Sequence, residues 1–167
     1  MSRREQVAEE MCSELGRLVM AVNAFESILF DLYCGLANRP RADLVQEVRN
    51  LMLPDFVATF AAEFRRRVHA PELVAAFNSI EPQILPAARR RNEFIHSSYW
   101  LANDEAGFEQ HRRPRTGGEQ LQNIDPSQVF AVTHTFMQLS NEVVSLRERL
   151  ADARIGGVVG YALEPSS

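Results

Sequence analysis

The chain contains no lysine; all 18 of its basic residues are arginine. Positive charge therefore resides on planar, permanently charged guanidinium groups, whose donors match phosphate oxygens. Cysteine is scarce, with Cys12 and Cys34 falling in one predicted helix, 22 residues apart. That spacing corresponds to about 33 Å along a continuous helix, so the two cannot bridge within a chain. They read as small buried or half-buried residues of a reducing compartment. No run approaches the roughly 18 consecutive apolar residues of a membrane span. Met1–Gln6 leads into a polar amphipathic segment with no apolar signal core, so the protein is expected to be cytoplasmic and not membrane-bound. There is no Cys-x-x-Cys, no His-Glu-x-x-His and no aspartate cluster of calcium-loop spacing, so neither a metal nor a cofactor is expected. The glycine-rich phosphate cradle and Gly-x-Ser-x-Gly are missing too, which removes the usual nucleotide hydrolases and esterases. The net charge of -4 argues against a general nucleic-acid coat protein.

Helical periodicity is abundant in the chain, as is usual for a globular protein with 46% apolar and 24% charged residues. Leu15, Leu18, Val19, Val22, Phe25, Leu29, Leu32, Tyr33 and Leu36 recur at steps of three and four, until Asn38-Arg39-Pro40 ends the stripe. A second segment, roughly 42–69, carries Leu44, Val48, Leu51, Met52, Phe56, Phe60 and Phe64, with Pro54 kinking it or splitting it in two. A third begins at Ala70-Pro71 and runs through Phe77, Ile80 and Ile84. Pro82 and Pro86 predict a bend or break in it. Around 101–124 the periodicity fails and Gly107, Pro114, Gly117 and Gly118 appear, which reads as a long irregular loop or short β-hairpin with Tyr99-Trp100-Leu101 as its first arm. Asp125-Pro126 then supplies a cap and a first-turn proline for the last helix. Its seam of Val129, Val132, Phe136, Leu139, Val143, Leu146 and Leu150 alternates steps of three and four and suits a bundle or a dimer. The pattern predicts an all-α chain: an antiparallel four-helix up-down bundle, interrupted by that loop or hairpin between helices 3 and 4. A single domain is expected over 1–154, with a weakly ordered tail over 155–167.

Chemistry concentrates in Arg89-Arg90-Arg91-Asn92-Glu93-Phe94-Ile95-His96-Ser97-Ser98-Tyr99-Trp100. Three guanidinium groups, an amide and an imidazole lie within eight residues here, at the end of an apolar helical segment. Histidine is the side chain best suited to move a proton near neutrality. Asn92 and His96 are four residues apart and share a helix face. Arg91 lies about 140° round the axis from His96, within the swing of a long side chain.

Arg91-Asn92-Glu93-Phe94-Ile95-His96 resembles the hallmark of the HEPN superfamily, helical-bundle proteins common in bacterial toxin and antiphage systems. That hallmark is an arginine, four to six residues and a histidine, often with Asn, Asp or His directly after the arginine. Arg89 and Arg90 satisfy the longer spacings. Ser97-Ser98-Tyr99-Trp100 is similar to a His-(Gly/Ser)-x-Trp continuation of one bacterial branch, with Trp100 displaced by one position. Glu26 resembles a glutamate that recurs in the first helix of that branch, and an irregular basic hairpin and a final amphipathic helix follow there too. The resemblance implies a metal-independent endoribonuclease, a hydrolase of the toxin–antitoxin or phage-defence kind, leaving 2′,3′-cyclic phosphate ends. It places Arg91, Asn92 and His96 at the catalytic centre, with Glu26, Arg90 and Tyr99 in support. It also implies a symmetric homodimer, RNA as the substrate and a possible cognate antitoxin protein.

Other readings fit the same residues. Arg89–Arg91 at a helix C-terminus complement its dipole, worth about 0.3–1 kcal/mol each, with His96 a packed histidine. Arg65-Arg66-Arg67 suits the same structural role. Arg112, Arg113 and Arg115, around Pro114, either grip RNA phosphates or are simply solvated. Glu26 either orders Arg91 or snorkels from the stripe. Tyr99 and Trp100 serve as core or as base-stacking platforms. A catalytically inactive HEPN bundle, acting as a dimerisation, RNA-binding or antitoxin-partner module, is the alternative to the nuclease.

Overall fold

The computed structural model describes residues 3–101, 108–112 and 120–158. It is mostly helical, as the periodicity predicts. The elements are α1 (Arg3–Ala37), α2 (Arg41–Val48), α3 (Leu53–Arg67), α4 (Pro71–Ile95), β1 (Ser98–Leu101), β2 (Phe108–Arg112), β3 (Gln120–Ile124) and α5 (Pro126–Asp152). The chain divides into two compact units, one of residues 1–23 and 86–137, the other of 24–85 and 138–167. Helices α1, α4 and α5 each contribute to both.

The second predicted segment is two helices, because Pro54 stands at the first turn of α3. There the missing N–H would have had no helical partner anyway, so proline starts a helix at no cost. Of the bend or break expected in the third segment, the break is absent: α4 is one helix through Pro82 and Pro86. The carbonyls their rings leave without a donor belong to Asn78 and Pro82. Asn78, Pro82 and Pro86 form one exposed stripe, open to solvent that can take the place of the lost bonds. Helix α1 ends at Ala37, and the next residue, Asn38, closes its last turn with a positive φ of 51° and an N–H bond to the Cys34 carbonyl.

The excursion before the last helix is more than a loop or hairpin. It is a three-stranded antiparallel sheet in the order β1-β2-β3. Tyr99 stands opposite Gln110 and Leu101 opposite Phe108, while Phe108 stands opposite Ile124. Phe108, Gln110 and Ile124 are all buried. Gly107, Pro114, Gly117 and Gly118, which signalled the excursion, lie outside the described residues.

Helix α5 begins as expected: the Asp125 carboxylate accepts the Ser127 N–H at 2.7 Å and its hydroxyl as well. All seven seam residues, Val129 to Leu150, are buried within the chain, so the seam serves the protein's own core and is not an open dimer face. In the first unit the core includes Met11, Leu18, Val22, Phe94 and Phe136. Thr133, buried among apolar residues, satisfies its hydroxyl on the Val129 carbonyl. In the second unit an aromatic cluster dominates. Phe64 stacks on Phe77 with centroids 4.4 Å apart, and Phe60 meets Phe77 edge-on at 5.4 Å.

From the α1 stripe Val19 is exposed, as is Cys12, which corrects the reading of both cysteines as covered. Among the described residues α1 is the one helix long and apolar enough, averaged over 18 residues, to cross a membrane, and a third of that stretch is buried inside the protein. Residues 155–158, expected to open a loose tail, instead fold back on α1. The Gly157 N–H bonds the Gly35 carbonyl at 2.9 Å, and a Cβ at Gly35 would meet the Val158 backbone at 3.0 Å. The rest of that expected tail lies outside the described residues.

Truncating the stacked ring should expose the weight of the aromatic cluster. Phe64→Ala is expected to lower the unfolding free energy by about 3–5 kcal/mol in urea denaturation, the range for a fully buried phenylalanine.

Candidate functional site at the end of helix α4

The last four carbonyls of any helix lack an internal partner. At the end of α4 most of them find one. The Asn92 carbonyl accepts the His96 N–H at 3.1 Å, continuing the helical pattern one residue past Ile95. The Glu93 carbonyl accepts the Ser97 hydroxyl and the Gln110 side-chain amide. The Phe94 carbonyl accepts the Tyr99 phenol at 2.5 Å. A serine hydroxyl bonding four residues back substitutes for the backbone donor of the next helical turn. Ser98-Tyr99-Trp100 then enters β1, where aromatic side chains suit a pleated surface.

The sheet brings the distant donor. Gln110 lies opposite Tyr99 in the β1–β2 register, and directly opposed residues point to the same face. Gln110 is 2% exposed, and its amide nitrogen also donates to the Ser97 hydroxyl oxygen at 2.8 Å. Tyr99 packs edge-on against Phe108, centroids 6.4 Å apart. A buried amide must be hydrogen-bonded or it costs about 1–3 kcal/mol, and the end of α4 is where Gln110 finds its acceptors.

The predicted site residues are placed unequally. His96 is exposed, while Arg91 and Asn92 are half-buried. Asn92 links the other two: its side-chain oxygen accepts from the Arg91 guanidinium at 2.8 Å, and its carbonyl holds the His96 backbone. Arg90 serves structure, paired with Glu93 at 2.7 Å and lying over the Phe94 ring at 4.9 Å. Arg89 is exposed. Tyr99 supports the turn through the Phe94 carbonyl. Glu26 belongs to the second unit, where it lines an open cleft of about 250 Å³ with Phe30, Val48, Arg49, Leu51, Leu53 and Phe56. The backbone of Arg112 closes β2 opposite Gln120; Arg113 and Arg115 lie outside the described residues. Among the described residues no group of three or more His, Cys, Asp or Glu side chains is placed to hold a metal.

Sequence reasoning missed Ser97 and Gln110. The available signal was faint: a glutamine two residues after Phe108, hence on the same strand face.

A larger cleft, about 420 Å³, in the second unit is lined by Tyr33, Arg39, Glu47, Thr59, Glu63 and Arg66 among others. Its charges answer one another. Tyr33 donates to Glu47 at 2.8 Å, Arg39 pairs with the other Glu47 oxygen at 2.7 Å, and Glu63 receives both Arg66 and Arg67. These donors hold the Glu47 and Glu63 carboxyls below the usual range. Arg65 pairs with Glu81, so the Arg65–Arg67 run is structural.

Burial, reinforced by the Glu47 carboxylate, pushes the Tyr33 phenol up to about 12. Burial likewise pushes Tyr99 to about 12, against the opposing pull of the Gln110 amide and the Arg90 charge. Both phenols hold their protons more tightly when folded than when unfolded, where tyrosine titrates near 10. Stability from these two groups is therefore complete below about pH 10 and falls as pH rises towards 12. Ultraviolet titration at 295 nm should find two of the three tyrosines ionising late, with unfolding free energy declining over the same window. Two phenols titrating at the ordinary value would contradict the packing described. No family model, curated protein sequence or solved structure matches this chain.

Proposed function

We propose that the protein is a metal-independent endoribonuclease of the HEPN type, with Arg91 and His96 as the reacting pair and Asn92 as the residue that orders them. The observation that carries this reading is the double use of Asn92, whose side chain holds the Arg91 guanidinium and whose carbonyl holds the turn presenting an exposed His96. His96 removes the proton of a ribose 2′-hydroxyl, or delivers one to the departing 5′-oxygen. The 2′-oxygen attacks phosphorus, the P–O5′ bond breaks, and Arg91 stabilises the charge that grows on the non-bridging oxygens. The products are a 2′,3′-cyclic phosphate and a 5′-hydroxyl, and neither metal nor water enters this step.

The same reading arranges the long helices as an antiparallel up-down bundle and pairs two chains about a twofold axis, so that two such motifs share one cleft. It assigns a cytoplasmic toxin–antitoxin or phage-defence role, with RNA as substrate and a protein antitoxin as the natural restraint. Arg112, Arg113 and Arg115, in or just beyond β2, supply phosphate contacts. With a net charge of -4, binding depends on local arginines and weakens steeply with salt.

One observation favours the second reading, an inactive module of the same fold. Arg90 is committed to Glu93 and Phe94, so of the two half-buried arginines in the 89–91 run any phosphate chemistry falls on Arg91.

Cleavage of end-labelled tRNA and mRNA in EDTA separates the two. Wild type should cut and leave cyclic-phosphate ends. His96→Ala should lose about 10²–10⁴-fold, the span of general acid–base catalysis, and Arg91→Ala about 10²–10³-fold, as for a lost charge stabiliser. A folded wild type that leaves RNA intact, or mutants that cut equally, would establish the inactive module.

A further inference from the structure

Gln110 is a polar residue in a place where polar residues are costly. It is 2% exposed and lies on β2 between apolar Phe108, two residues away on the same strand face, and the end of α4. Its side-chain nitrogen donates to two acceptors, the Glu93 carbonyl and the Ser97 hydroxyl. Those two acceptors flank His96 in sequence, three residues before and one after. Ser97 in turn donates to the same Glu93 carbonyl. The result is a closed triangle of side-chain and backbone bonds across the turn that carries His96, anchored from a strand 14 residues downstream of it.

Two physical consequences follow. Exposed helix ends fray, because the last turn is held by few bonds. Here the turn is fixed by a side chain delivered from a sheet, so His96 is solvent-facing yet its backbone is tied. In addition, helix C-termini carry about half a unit of negative charge on their unpaired carbonyls, which repels phosphate. Donors from Gln110, Ser97 and Tyr99 on the Glu93 and Phe94 carbonyls reduce that charge beside His96.

We infer that Gln110 is the positioning residue of the site: its amide locks the Glu93–Ser97 turn and so sets where the His96 imidazole meets RNA. The inference rests on the nuclease reading for its catalytic consequence, but its structural half is measurable without any cleavage.

The test uses the full chain, with Gln110→Met, which keeps the length and apolar body of the side chain but removes its donors, and Ser97→Ala, which removes one of its two acceptors. Amide hydrogen exchange is followed by NMR for His96 and, as reference, for α5 within the first unit. In Gln110→Met the His96 amide should lose about tenfold in protection, the order of one hydrogen bond, while the α5 amides hold theirs. Ser97→Ala should shift His96 in the same direction by less. In the cleavage assay kcat should fall by a similar factor with KM near wild type, because the imidazole is misplaced while the RNA contacts stay.

Unchanged His96 protection in folded Gln110→Met would overturn the inference. So would an equal loss across α5, which would make Gln110 an ordinary core residue. If Gln110→Met does not fold, Ser97→Ala decides by the same two criteria. Local loosening at His96 in a protein whose wild type does not cut RNA would uphold the structural half, the locked Glu93–Ser97 turn, and overturn both its catalytic consequence and the nuclease reading.

Discussion

Three side chains, Ser97, Tyr99 and Gln110, spend their donors on two carbonyls at the end of α4, and the turn that carries His96 depends on it. Without those bonds the Glu93 and Phe94 carbonyls would need water, which Phe94, wholly buried, and Gln110, nearly so, leave little room for. The sheet is thus less an appendage to a helical protein than the cap of its fourth helix. Its register matters for that reason. Tyr99 opposite Gln110 puts two donors on one face, and a slip of one residue would turn both away.

Arginine use shows a second constraint. A chain with no lysine and a net charge of -4 must choose where its guanidinium groups go. Arg39, Arg41, Arg65, Arg66, Arg67 and Arg90 all pair with carboxylates. Exposed pairs of this kind contribute little to stability, about 0–1 kcal/mol, so their main effect is to consume charge. Arg41 and Arg65 also cover aromatic faces, of Phe30 and Phe77. The Arg91 guanidinium donates to the Asn92 side-chain oxygen at 2.8 Å.

The helices were legible because their signals are local. Seven seam residues of α5 at alternating steps, a capping aspartate before a proline, and Asn38-Arg39-Pro40 after an apolar stripe each need only a few neighbours to be read. Pro54 announced the division of the second segment for the same reason. Pro82 and Pro86 do not break α4, and spacing does not reveal this because their cost depends on whether the freed carbonyls reach water, a tertiary fact. The sheet was legible only as an interruption: β2 and β3 are five residues each and polar, with Glu109, Gln110 and His111 where a half-buried strand would alternate. Gln110 itself was illegible. Its role comes from a strand register and a helix end separated by the whole of β1, and no spacing rule joins them. The cluster from Arg89 to Trp100 could be found as a concentration of chemistry, but that Arg90 pairs with Glu93 and Arg91 with the Asn92 amide is a matter of side-chain geometry that spacing does not resolve.

The choice between Glu93 and Asn92 as partners has a chemical meaning. A carboxylate orients a guanidinium and also supplies a countercharge, so Arg90 beside Glu93 offers an approaching phosphate less net attraction. An amide oxygen orients the guanidinium just as firmly and adds no charge of its own. The Asn92 oxygen therefore directs the Arg91 guanidinium without itself adding a countercharge. The backbone carbonyl of the same residue accepts from His96. That second bond belongs to the backbone and would form with any residue at this position, so asparagine acts through its side chain alone; aspartate, equal in shape, would keep the contact with Arg91 while adding a countercharge. Under the proposed nuclease reading, that difference would favour asparagine in the last full turn of α4 despite its mediocre helix propensity.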